Sequence, residues 1–189
     1  MTILVDMDDV LEQLVAGWVS LLNERYGTDT KYEDVACWDI STAFPTLTEE
    51  QVYAVEVEEA LWDYVKPMPG ADKVLRKLIR DGHEIYIVTA TKYQTLRKKM
   101  ETVLFPNFPY IDWHHVIVTY NKSMIRGDIL IDDGPHNFSG GSFRKILFTR
   151  SHNKSFDAGS VGAVRADSWD EVYEEICKIV KETEKDALS

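Results

Sequence analysis

The sequence predicts an α/β protein: a parallel sheet flanked by helices, with a small helical unit inserted after the first strand and helix. Three observations predict it. Short, wholly apolar, β-rich runs recur along the chain and alternate with segments of helical period. Several of these runs end directly on carboxylates or threonine, as strands do where they enter a ligand-binding edge. One stretch, from about residue 28 to 66, breaks the alternation and carries aromatics and acids without a strong strand signal.

The elements follow in order. Ile3-Leu4-Val5 reads as a buried parallel strand with Asp6 at its carboxyl end. Leu11, Leu14, Val15, Trp18, Val19 and Leu22 then recur at helical spacing, and Gly27 stops the helix. In the insert, Thr48 and Gln51 fit a capping box that opens another helix. Pro67-Met68-Pro69-Gly70 marks the return to the main unit, and Val74, Leu75, Leu78 and Ile79 give an amphipathic helix ended by Asp81-Gly82-His83. Glu84 to Val88 is the second strand, followed by a basic helix through Leu96, Met100 and Leu104. Val116-Ile117-Val118, Ile129-Leu130-Ile131, Ile146-Leu147-Phe148 and Ala163-Val164 are four further strands, and Ser168 with Glu171 caps a last helix carrying Val172, Ile176 and Ile179. Alternating strands and helices imply right-handed crossovers and a Rossmann-like sheet. The division expected is a core of residues 1–14 and 67–189 with a cap of residues 15–66.

Bulk properties narrow the function. The 189 residues are 44% hydrophobic and 28% charged, ample for a core and unlike a disordered chain. Lys and Arg number 21 against 32 Asp and Glu, a net charge of −11 that disfavours nucleic-acid polymers and anionic membranes as partners. A small phosphorylated substrate remains compatible if a metal or a lysine supplies local positive charge. A homodimer is also compatible, although no residue pattern marks one. Cys37 and Cys177 have no metal-binding spacing and read as free, buried thiols of a reducing compartment. With no signal peptide and no membrane-length apolar run, a cytoplasmic protein is expected.

The chemistry gathers at strand ends. Asp6-Met7-Asp8 follows the first strand and Asp132-Asp133 the fourth, and in an open parallel sheet those ends can be neighbours. Carboxylates so close raise one another's pKa, and a hard divalent cation resolves the conflict. Oxygen-only ligands suit Mg²⁺. Thr89 ends the second strand, where its hydroxyl and the next backbone N–H, that of Ala90, can hold a phosphate oxygen. Lys122, just past the third strand, brings a cation.

Asp6-Met7-Asp8, Ile87-Val88-Thr89, Lys122 and Ile131-Asp132-Asp133 resemble, in order, the four motifs of the haloacid dehalogenase (HAD) superfamily. Val5 to Leu11, Pro67 to Ala71, Ile117-Val118-Thr119, Asp128 to Asp133, and Leu147-Phe148-Thr149 with His152-Asn153 are similar to the 5'(3')-deoxyribonucleotidases. The resemblance implies an Mg²⁺-dependent phosphomonoesterase acting on deoxyribonucleoside 5'-monophosphates, pyrimidines foremost, through an aspartyl-phosphate. It gives Asp6 the nucleophile's role and Asp8 the acid/base role. Thr89, Ala90 and Lys122 hold the phosphate. Asp6, Asp8 through its backbone carbonyl, and Asp132 ligate the metal, with Asp133 orienting the metal shell. The chain departs from the pattern at Asp9, where Gly is usual, at Ala90, where Ser is common, and at Leu14, where an aromatic is frequent.

Among cap aromatics, Trp38 and Trp62, ahead of Phe44 and Tyr64, are the candidates to stack on a base. The histidines show no metal-ligand spacing, and His152 reads as a surface residue. Arg97 and Lys98 read as a solvated basic face, and Gly140-Gly141 as a turn. Three other readings compete: a phosphatase for another small phosphate monoester, a phosphate-binding protein without turnover, and a phospho-acceptor module. The last places its acidic pair after the first strand, whereas here the pair comes late.

Overall fold

The computed structural model describes residues 1–186; the last three residues of the expected core lie outside the described residues. Six strands, β1 (Thr2–Val5), β2 (Glu84–Thr89), β3 (Val116–Val118), β4 (Ile129–Asp132), β5 (Arg144–Phe148) and β6 (Ala163–Ala166), form one sheet in the order β3-β2-β1-β4-β5-β6. Every pairing is parallel. The order reverses at β1, which pairs with β2 on one side and β4 on the other. The carboxyl ends of β1 and β4 therefore flank the crevice where ligands of such sheets bind.

Side chains alternate between the two faces, as the strand period requires. Ile3, Val5, Ile87, Ile129, Ile131 and Ile146 enter the larger core with the helices, whereas Leu4, Val88, Leu130 and Leu147 pack beneath Phe138, Phe143 and Ala158. The helices on the larger face are α1 (Leu14–Tyr26), α3 (Ala71–Arg80) and α5 (Trp169–Asp186). The α2 turn (Glu49–Tyr53) belongs to the insert and opens on the expected capping box, with Thr48 and Gln51 each bonding the other's backbone N–H.

Two elements differ from the sequence expectation. Leu11 is buried but precedes the helix, because residues 7–12 first make a turn in which Val10, Leu11 and Glu12 all donate to the Met7 carbonyl and Asp9 adopts φ 54°. The basic helix is not continuous: α4 (Tyr93–Lys99) widens into a π-turn at Met100–Leu104 before the short Phe105–Asn107 helix, which contains Pro106. A proline cannot donate to the helical ladder, and a π-turn is one way to absorb that loss.

The insert leaves and rejoins the core through one paired crossing, where Gln13 N–H donates to Lys66 O (2.9 Å) and Met68 N–H to Leu11 O (2.8 Å). Its Val35, Ile40, Phe44, Val52, Val55, Leu61 and Trp62 share the main core. Gly17 lets α1 approach it closely: a Cβ there would lie 2.9 Å from Val65 Cγ2. No described helix is long and apolar enough to cross a membrane.

Candidate active site

The register brings the two aspartate motifs side by side. Val5 pairs with Ile131, and the Asp6 N–H donates to the Ile131 carbonyl (2.9 Å), so Asp6 and Asp132 leave adjacent strands together. Lys122 Nζ lies between them, 2.7 Å from Asp6 Oδ1 and 2.6 Å from Asp132 Oδ2. The other Asp132 oxygen accepts from the Gly134 N–H and from Asn137 Nδ2.

Asp8 stands on the opposite side of Asp6 in a different setting. Its carboxylate pairs with Lys99 Nζ, which also donates to Thr89 Oγ1 at 2.9 Å. Lys99 is 0% exposed, a buried ammonium held by the acid/base candidate and the phosphate-site threonine. Sequence reasoning passed over it, reading only Arg97 and Lys98 there, as a solvated basic face. Arg97 and Lys98 do point outward, to Glu101 and Asp63. The available signal was spacing: Lys99 stands three residues after Leu96 and four before Val103, on the apolar stripe of its helix.

The electrostatics divide the carboxyls. Burial, reinforced by Asp132 and Asp8 and only partly offset by Lys122, pushes Asp6 up to about 7. Burial together with Asp6 and Asp132 raises Asp133 well above the usual carboxylate range. Burial likewise lifts Asp9 to about 6, and it lifts Glu12, whose two oxygens have no hydrogen-bond partner, far above its ordinary value. Burial also presses on Asp8, but Lys99 and a contact with Glu12 outweigh it and hold Asp8 below its ordinary value. Lys122 is raised, because Asp6 and Asp132 overcome the effect of its burial. The site is thus short of positive charge. Carboxylate oxygens of Asp6, Asp132 and Asp133 lie within 4.8 Å of one another, a buried oxygen-only donor set that fits Mg²⁺.

Around these groups is a cavity of about 300 Å³ lined by Asp6, Asp8, Lys122, Ala90, Leu14 and Trp38, among others. Trp38 is 59% exposed and meets the rings of His136 and His152 edge-on at 4.8 and 5.2 Å. Trp62 does not reach this cavity; it is buried, with its ring 5.1 Å from Lys99 Nζ. Phe44 is core, and the Tyr64 hydroxyl donates to Glu24.

Two sequence expectations are corrected. His152 is not a surface residue: Asn153, which donates to the Phe148 and Asp133 carbonyls, folds the post-β5 loop inward and places His152 Nε2 2.8 Å from Asp133 Oδ2. Burial and the Arg150 charge lower the imidazole to about 4, so it is neutral near pH 7. The cysteines are free but not buried; Cys37 is exposed on the cap loop and Cys177 half-buried on α5.

The model of a family described as "5' nucleotidase, deoxy (Pyrimidine), cytosolic type C protein" matches residues 1–183. The chain belongs to this family. The 5'(3')-deoxyribonucleotidase of Bacillus subtilis is 34% identical over 172 residues, 90% of this chain and 95% of its own length. That of Clostridium acetobutylicum is 32% identical over 181 residues, covering 96% and 97%. Among solved structures, a haloacid dehalogenase-like protein of Agrobacterium tumefaciens superposes with a TM-score of 0.64 at 17% identity, covering 95% of this chain and 98% of its own. A HAD family hydrolase of Deinococcus radiodurans, solved with bound phosphate and sodium, gives 0.61 at 16% identity, covering 94% and 95%. These two share the fold. Family membership makes the chain a phosphoric monoester hydrolase of the nucleotidase type, on the HAD parallel sheet that the sequence predicts.

Proposed function

We propose that this nucleotidase hydrolyses deoxyribonucleoside 5'-monophosphates, pyrimidines foremost, with Asp6 as nucleophile and Asp8 as acid and base. The observation that carries the reading is the contrast between the two carboxyls: Asp6 beside Lys122 and Asp132, Asp8 beside Lys99 and Thr89. Different environments for paired carboxyls are how a site separates their roles.

An Asp6 oxygen bonds to phosphorus as the bond from phosphorus to the sugar oxygen breaks, and Asp8 gives its proton to the leaving alkoxide. Asp8 then takes a proton from water, whose oxygen attacks phosphorus and frees Asp6 and inorganic phosphate. Lys122, the Thr89 hydroxyl and the Ala90 N–H hold the phosphoryl oxygens, and Lys99 fixes the Asp8 carboxylate against Thr89. Asp6, Asp132 and the Asp8 carbonyl would hold Mg²⁺, with Asp133 orienting its shell, and the ion would supply charge neutralisation. Bound there, the ion would favour the ionised form of Asp6, and a phosphate dianion beside Asp8 would favour its acid form. Residues 15–66 act as the cap, with Trp38 the aromatic placed to meet a base.

Support for the substrate comes from the family description and from relatives named 5'(3')-deoxyribonucleotidase. Leu14 and the buried Asp9, both on the cavity wall, favour the second reading, another small phosphate monoester. Phosphate release from a panel of nucleoside and sugar monophosphates, with Mg²⁺ or EDTA, decides. Metal-dependent release led by dUMP or dTMP and lost in Asp8→Asn upholds the nucleotide reading. Release led by a sugar phosphate replaces the substrate, and no release overturns the reaction.

A further inference from the structure

The geometry points to a second divalent-cation site, formed by Asp9, Asp133 and His152, beside the Asp6–Asp132–Asp133 group and sharing Asp133 with it. One ligand atom from each of the three residues lies within 4.8 Å of the others, and all three residues border the substrate cavity. Asp9 is 2% exposed, Asp133 4%, and the His152 side chain 4%.

Two buried atoms there lack a hydrogen bond. His152 Nε2 sits 2.8 Å from Asp133 Oδ2, yet it makes no hydrogen bond. Asp9 Oδ1 also has no hydrogen-bond partner, while Asp9 Oδ2 is fixed by the Val15 N–H. A buried polar atom without a partner is costly, and one aimed into a cluster of donors calls for a missing ligand. Two donor atoms in contact without a hydrogen bond are spaced as neighbouring ligands of one ion: cis positions around ~2.1 Å bonds are about 3.0 Å apart. Arg150 Nη2 stands 3.4 Å from Asp9 Oδ1 and acts as a counter-charge through space; the guanidinium is otherwise held over the Tyr32 ring and by Met68 Sδ.

Two carboxylates and an imidazole suit a borderline ion such as Mn²⁺, Co²⁺ or Zn²⁺ better than Mg²⁺, which prefers oxygen alone. Asp133 has two carboxylate oxygens, so it would offer Oδ2 here and keep the other for orienting the Mg²⁺ shell.

The test is Mn²⁺ stoichiometry. The full chain, stripped with EDTA and desalted, is titrated with Mn²⁺ while free ion is followed by electron paramagnetic resonance and heat by calorimetry. Wild type is expected to bind two ions per chain. Asp9→Asn, which keeps an acceptor for Val15, and His152→Ala are each expected to weaken one of them about tenfold or more. Unchanged melting curves of the stripped variants separate ligand loss from misfolding. One ion in wild type, or two undiminished in either variant, overturns the proposal. The readout is binding, so a failed phosphate assay leaves this inference standing, and loss of the second ion leaves the hydrolytic reading standing.

Discussion

A lysine with no exposed surface is stable only if its charge is answered, and Lys99 is answered by Asp8 and Thr89. Replacing it with Met strands part of the Asp8 charge in the interior. We expect Lys99→Met to unfold about 3 kcal/mol more easily in urea, towards the low end for buried pairs because Asp8 keeps some solvent. In the fraction that folds, kcat for phosphate release should fall about 100-fold, as an acid/base group loses its alignment. Trp38 acts differently: it is exposed at the cavity mouth and braced by His136 and His152. Trp38→Ala should raise KM for a nucleotide roughly tenfold with kcat little changed, because stacking on a base is worth ~1–3 kcal/mol and takes no part in bond breaking. An unchanged KM in steady-state kinetics would remove Trp38 from the substrate's surroundings.

At the scale of elements, the segment of residues 15–66 depends on small local devices. The Thr48–Gln51 capping box starts α2, and Thr48→Ala should cost about 1 kcal/mol in chemical denaturation. Gly17 admits the chain at Tyr64 and Val65 against α1, so Gly17→Val overpacks that contact and should destabilise by about 1–3 kcal/mol. The lever that relocates both aspartate motifs is strand register. Val5 opposite Ile131 makes Asp6 and Asp132 neighbours, and slipping β4 by one residue would send Asp132 to the other face.

For the molecule as a whole, the dominant feature is a buried nest of carboxyls at the switch of strand order, with Lys122 and Lys99 inside it and Arg150 beside it. Burial pushes Asp6 and Asp133 up, and a divalent cation relieves that pressure only in the folded state, where the ligands converge. Binding to the folded state alone stabilises it by mass action, about 2.7 kcal/mol at a hundredfold excess over Kd. Thermal melts in Mg²⁺ and in EDTA should therefore separate, with the EDTA midpoint lower. The separation should shrink in Asp132→Asn, and coincident wild-type melts would deny the site a metal.

Local information was enough to place the strands, the Thr48 and Ser168 caps, and the order of Asp6, Asp8, Thr89, Lys122, Asp132 and Asp133, because hydrophobic period and strand-end chemistry are written in adjacent residues. It was not enough for Lys99 or His152. A lysine beside two other basic residues looks solvated until α4 turns it inward. A histidine in a loop looks exposed until Asn153 ties that loop to Asp133 and Phe148. Burial and partnership are properties of contacts between residues far apart in the chain. The sequence by itself determined the fold class and the order of charged residues at the strand ends; the tertiary packing decided which of those charges are buried and which are paired, because both depend on contacts between residues far apart in the chain.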